Sequence, residues 1–137
     1  MDEFKRCCIT SEDLRRASRE SEGLFAQKLE ELALLYEGYD ALTDRGKCDP
    51  RDQMTWLLEQ LENSTFGENH VIYIDGFPDF TRQHMAIISH LICSSPKVVI
   101  SLNCDAPGSN NMAFQKAGDT AKALLSIAKK HGVKADI

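Results

Sequence analysis

From Leu24 onward the apolar residues Phe25, Leu29, Leu32, Leu35, Tyr36, Tyr39 and Leu42 recur at spacings of three and four. That period puts one stripe on a helix about 20 residues long, the backbone of the first half of the chain. Ahead of it, Thr10-Ser11-Glu12-Asp13 sets a hydroxyl three residues before a carboxylate, the spacing of a capping box. It predicts a short helix to about Glu20, then a linker at Gly23. Gly46 closes the long helix, and Asp49 as cap with Pro50 in the first turn opens another whose Met54, Leu57, Leu58 and Leu61 face inward.

After Gly67 the period changes. Val71 to Ile74 and Lys97 to Leu102 are compact β-rich runs, separated by a helical pattern from Thr81 to Cys93 that carries Met85, Ile87, Ile88, Leu91 and Ile92. This is a βαβ unit, and its strands are expected to lie parallel, with a right-handed crossover and both faces covered. Asn103 to Asn111 reads as a loop. A last helix, Ala113 to about His131, presents Phe114, Ala117, Ala121, Leu124, Leu125 and Ala128 to the sheet and stops at Gly132. Val133 to Ile137 then begins what reads as another strand, an unfinished element that suggests a piece of something longer. The expected organisation is α/β, with a helical segment over 1–66 and an α/β part over 67–137.

Composition changes little in this picture. A chain of 137 residues, 42% hydrophobic and 27% charged, is an ordinary globular domain. No apolar run approaches the roughly 18 residues that cross a bilayer, and no secretory leader is visible, so a cytoplasmic setting is expected, without a membrane partner. Cys7, Cys8, Cys48, Cys93 and Cys104 are odd in number and lack metal-ligand spacing, so they read as reduced thiols. His70, His84, His90 and His131 form no ligand spacing and read as surface or cap residues.

Charge is uneven. Residues 1–79 carry 18 acidic and 9 basic side chains, while residues 80–137 carry 3 acidic and 7 basic. Lys116, Lys122, Lys129 and Lys130 on the last helix, with Lys134 after it, are either a solvated face or contacts for DNA phosphates. Trp56, Tyr36 and Tyr39 suit base stacking, but at helical spacing they read first as core.

The sharpest chemical signal is Ile72-Tyr73-Ile74-Asp75-Gly76-Phe77-Pro78-Asp79-Phe80-Thr81, a strand that ends on a carboxylate and runs into a helix start. At the carboxyl end of a parallel strand a carboxylate faces the ligand crevice, where nucleotide-hydrolysing domains hold magnesium. The bland alternative is an Asp that caps the turn. Gly76 reads as a turn or close-packing residue, and Phe77 and Phe80 as plugs beneath the strand end.

These residues, with Glu3-Phe4-Lys5-Arg6, Ile9 to Leu14 and Lys28 to Tyr39, resemble the B subunit of the AddAB-type ATP-dependent helicase/deoxyribonuclease, over essentially the whole chain. The resemblance implies an internal fragment of a degenerate, P-loop NTPase-like helicase region that acts in double-strand-end processing and recombinational repair. Active motors of the related type read Asp-Glu-Phe-Gln-Asp at this strand end. Asp75, Phe77 and Asp79 match, whereas Gly76 and Pro78 replace the Glu and the Gln. After the second strand the Gly-Asp pair and the Gln that senses the γ-phosphate are missing from Leu102 to Pro107, and no Gly-x-x-x-x-Gly-Lys-Ser/Thr loop occurs. The chain by itself is therefore expected to be catalytically inactive and to hold no cofactor. ATP with magnesium and an iron-sulfur cluster would belong to the parent protein outside this segment. The implied partners are the A subunit and, through the complex, DNA. A reading from another class is a stand-alone protein-interaction module built on the long helix, and a flavodoxin-like nucleotide-binding enzyme is a third.

Overall fold

The computed structural model describes residues 2–43, 52–77, 79–104, 106 and 112–137. The expected cap at Asp49 and Pro50, the helix stop at Gly46, and most of the Asn103–Asn111 loop lie outside them. The chain divides into two compact units, Met1–Gln53 and Met54–Ile137.

In the first unit a short helix α1 (Asp2–Arg6) leads to α2 (Ser11–Arg19) and α3 (Gly23–Thr43). The capping box of α2 forms as the sequence predicts. The Asp13 amide donates to Thr10 Oγ1 at 3.2 Å, and the Thr10 amide donates to Asp13 Oδ2 at 3.0 Å. The hydrogen bond from the Thr10 backbone, then that from its hydroxyl, and the nearby Arg16 hold the Asp13 carboxyl below its usual range. A carboxyl lowered in the folded state stabilises it above the unfolded pKa, and this contribution fades as pH falls through the lowered value. Thr10→Ala is expected to cost about 1 kcal/mol through the lost hydroxyl cap. The gap between variant and parent should narrow on acidification below the ordinary carboxylate range, as melting curves taken across that range would record.

The core of this unit is Leu14, Ala33 and Tyr36, with Phe4, Ile9, Leu29 and Tyr39 packed around it. The Phe4 and Tyr36 rings lie 5.8 Å apart. Arg15 of α2 makes a two-pronged ion pair with Glu37 of α3, at 2.7 and 2.6 Å, which raises the guanidinium further above its ordinary value. Lys5 is buried, donates to Asp52 at 2.6 Å, lies 3.4 Å from Asp40 and sits over the Tyr39 ring.

The long stripe on α3 needs correction. Only Ala33 and Tyr36 are buried on this helix, while Phe25, Leu35 and Leu42 are exposed, Leu35 by 63%. The three-and-four spacing holds, but it covers two directions around the helix axis. Leu29, Ala33 and Tyr36 meet α2, whereas Leu35 and Leu42 turn about 100° or more from Tyr36, and Phe25 and Leu32 lie outside the packed cluster.

In the second unit α4 (Gln53–Glu62) has no fully buried residue, and Trp56 is 55% exposed. Trp56 is thus not a core residue, unlike Tyr36. A short 3-10 turn (Gly67–Asn69) precedes β1 (Val71–Ile74), followed by α5 (Arg82–Ser94), β2 (Lys97–Ile100) and α6 (Gln115–Lys130). The strands pair in parallel, Val71 opposite Lys97 and Ile74 opposite Ile100. The fold is α/β with a βαβ unit and a two-stranded sheet, otherwise helical. Division at Gln53 groups α4 with the sheet rather than with the N-terminal helices, and a bond from Gln83 of α5 to Thr55 Oγ1 at 3.3 Å is one reason.

Two strand expectations are corrected. Among the described residues the sheet is not covered on both faces, since Val71 and Tyr73 are exposed and Tyr73 is 71% accessible. Val133–Ile137 forms no strand and pairs with none among the described residues. Its direction is set by the end of α6. Gly132 has φ +69°, the Gly132 amide donates to the Lys129 carbonyl at 3.2 Å, and the Val133 amide reaches the Ala128 carbonyl at 2.9 Å. This is a Schellman motif, for which the left-handed glycine is the natural residue. Ala117, Ala121, Leu124 and Ala128 form the buried stripe of α6, as the pattern predicts, but Phe114 stays exposed.

Candidate functional site

β1 ends at Ile74, and the chain turns at Gly76 with φ +81°. A Cβ at Gly76 would meet open space, so this glycine serves the left-handed turn and not a close approach of backbone. Asp75 is exposed at the strand's carboxyl end. Phe77 is 48% exposed, so it is not a buried plug, and its ring lies 5.6 Å from that of Phe80. Phe80 in turn meets His84 edge-on at 6.4 Å.

His84 also closes the start of α5. The His84 amide donates to Thr81 Oγ1 at 3.3 Å, and the Thr81 amide donates to His84 Nδ1 at 3.4 Å. An imidazole here replaces the usual carboxylate or amide of a capping box, which explains how a helix start without Glu or Gln at the third position still forms. Asp79 makes an ion pair with Lys116 in the first turn of α6. The structure therefore brings together one residue of the Asp75–Asp79 strand-end segment and one of the last helix's lysines, which sequence spacing does not show.

The other lysines separate. Lys122 lies 3.5 Å from Asp119 one turn back, while Lys129 and Lys130 are exposed in the last turn. Around the helix Lys122 and Lys129 share a stripe, and Lys130 points about 100° from Lys129, nearer the direction of Lys116.

Among the described residues no group of three His, Cys, Asp or Glu side chains could hold a metal ion. Asp75 stands alone at the strand end, Asp79 is engaged by Lys116, and the sequence has no phosphate loop. These residues do not fit a magnesium nucleotide. Cys7, Cys8, Cys93 and Cys104 are unbridged thiols at scattered positions. Among the described residues no helix is long and apolar enough to cross a membrane.

A feature without a sequence motif lies beside β2. A groove of about 900 Å³ runs along this strand, walled by α6 and by Val133–Ile137. The only hint in the sequence is the apolar and polar alternation of Val133 to Ile137.

A parallel βαβ unit with an acidic residue just past the carboxyl end of its first strand defines the class, an α/β fold with a small parallel sheet. The family model described as ADDB, N-terminal matches residues 1–137, and the chain belongs to that family. It is similar to the B subunit of the ATP-dependent helicase/deoxyribonuclease from Anoxybacillus flavithermus, at 30% identity over 97% of this chain and 12% of that protein. The proteins of the same name from Clostridium acetobutylicum and Bacillus velezensis are each 29% identical, over 97% and 100% of this chain. The chain spans about one eighth of the length of these curated relatives.

Proposed function

We propose that this chain is a region of the B subunit of an ATP-dependent helicase/deoxyribonuclease, acting in the processing of DNA ends, and that it is a non-catalytic scaffold within a P-loop NTPase-like, degenerate motor. The observation that carries this reading is the replacement of the catalytic Glu by Gly76, at the strand end of a chain matched along its whole length by the family. A glycine at φ +81° supplies a turn and no group to position water. ATP with magnesium and the iron-sulfur cluster belong, in this reading, to parts of the complex outside these residues. The partner is the A subunit, and Lys129 and Lys130 are the exposed cations for DNA phosphates.

In the assembled two-subunit enzyme, Asp75→Asn is expected to leave DNA-stimulated ATP hydrolysis within about twofold of the parent, and a loss of roughly tenfold or more would sink the scaffold reading. Sequencing the gene on both sides of this segment tests the parent: a frame that continues to a phosphate loop and a nuclease domain supports it.

A second reading rests on the exposed row Phe25, Leu32, Leu35 and Leu42 of α3, which suits a protein-interaction module. A defined dimer of the purified chain, with that face protected, would favour it.

A further inference from the structure

We propose that the cap at the start of α5 is a proton-sensitive latch: a neutral His84 ties down the segment that follows β1, and a protonated one lets it go. Two bonds make the cap, and only one of them depends on the imidazole. The His84 amide donates to Thr81 Oγ1 at 3.3 Å, and the Thr81 amide donates to His84 Nδ1 at 3.4 Å. A backbone amide can only donate, so Nδ1 must offer its lone pair, and the ring proton sits on Nε2. Imidazolium carries an N–H at both positions and cannot accept. Protonation therefore breaks the second bond and keeps the first.

The place in the helix adds to the effect. The first turn carries the positive end of the helix dipole, so a cation at its third residue is disfavoured where a carboxylate would be favoured. Histidine is also the side chain whose charge changes between pH 5 and 8, whereas Glu or Gln at this position would keep an acceptor throughout that range. The box at α2 offers the contrast within one chain. There Asp13 stands in the place of His84, accepts from the Thr10 amide at 3.0 Å, and has its carboxyl held below the usual range, first of all by that bond. Mild acidification thus leaves one box intact and opens the other. Because the bonded form of His84 is the neutral one, the loosened state binds more protons, and the ordering strengthens as pH rises.

The charged groups on the chain around His84 are Asp75 and Asp79 after β1, Arg82 on α5 itself, Lys116 and Asp119 at the start of α6, and Glu59 on α4, which meets α5 through the Gln83–Thr55 bond. Lys97 of β2, Glu68 of the 3-10 turn and His131 after α6 belong to the other end of α5, where Gly67 adjoins Ser94 and His131 reaches Ser89. Among the described residues none of these groups bonds the imidazole, and Asp79 is taken by Lys116. No carboxylate is bonded to the ring to retain its proton.

What the latch holds is a row of rings. Phe80 directly precedes Thr81, meets His84 edge-on at 6.4 Å and lies 5.6 Å from the half-exposed Phe77. The Thr81–His84 bond and the Asp79–Lys116 pair tie this segment down. Release of the first loosens the backbone that carries Phe80.

Hydrogen exchange of the full-length protein between about pH 8 and about pH 5.5, corrected for the intrinsic pH dependence of amide exchange, provides the test on peptides spanning 79–87 and 10–16. Protection of 79–87 is expected to fall roughly threefold or more on acidification, while that of 10–16 stays level. His84→Gln, which keeps an acceptor in the same place, should hold its protection across the range, and His84→Glu serves if the Gln variant does not fold. A segment 79–87 that stays level in the unchanged protein would overturn the proposal. So would an equal fall in His84→Gln, which would put the titrating group elsewhere, or a fall shared by the whole of α5 and α6, which would be unfolding and not release of a latch.

Discussion

Tyr36→Ala is expected to lower the stability of the N-terminal unit by about 3 kcal/mol, the usual cost of removing a buried aromatic side chain. Tyr36 is 4% exposed, joins Leu14 and Ala33 in the core, and stacks obliquely on Phe4. Its removal leaves a cavity between α2, α3 and the Phe4 ring, because helices already locked by the Arg15–Glu37 pair cannot close freely over the gap. The adjacent Leu35→Ala removes an exposed side chain and should change stability by less than about 0.5 kcal/mol. Urea unfolding of the two variants decides the matter. Equal losses would mean that the stripe on α3 is buried as a single face, contrary to the packing described above.

A comparably large effect is expected at Gly67. This buried glycine starts the turn that leads into β1, and a Cβ there would lie 2.3 Å from Ser94 Oγ and 2.9 Å from Ser94 Cβ at the end of α5. The hydroxyl can swing aside, but the Cβ of Ser94 moves only with its backbone. Gly67→Ala should therefore cost about 2 kcal/mol, the scale of overpacking in a tight interior. The gain from replacing a flexible glycine offsets only about 0.4–1 kcal/mol of that. Ser94→Gly in the same chain should restore much of the loss. Ser94→Ala on its own should be close to neutral, since its buried hydroxyl has no partner among the described residues. Thermal melts of the single and double variants test this, and an additive double variant would show that the two residues do not meet.

The βαβ unit is legible in the sequence because each of its parts has a local cause. β-branched runs at Val71 and Val98 fix the strands, Thr81 caps α5, and Gly132 ends α6. The capping box at Thr10 is legible for the same reason. What sequence does not supply is direction. A three-and-four spacing marks a helix, yet it does not say which of two apolar rows meets a neighbour, and on α3 half of the expected stripe faces away. Trp56 reads as core by the same logic and lies exposed. Helix α1 escapes pattern reading because five residues hold too little periodicity to register, and its buried Lys5 depends on Asp40 and Asp52, far along the chain.

The candidate site divides in the same way. That a strand ends at Asp75 and turns at Gly76 follows from the sequence. The pairing of Asp79 with Lys116 does not, because it joins residues separated by the whole of α5 and β2. His84 has several roles open to it in the sequence, and only its bonds to Thr81 single out the cap. Val133–Ile137 alternates as a strand should, but alternation is only a readiness to pair, and no strand among the described residues pairs with it.

The Schellman motif at the end of α6 has a thermodynamic consequence. Because Gly132 and the Val133–Ala128 bond aim the outgoing chain without help from the sheet, that border of the groove is set by a helix end. The first residue beyond the helix has thereby lost most of its freedom already in the isolated chain. Association with such a preorganised edge sacrifices less conformational entropy than pairing two mobile segments. Gly132→Val, which disfavours the left-handed turn, would hand that freedom back to the outgoing chain.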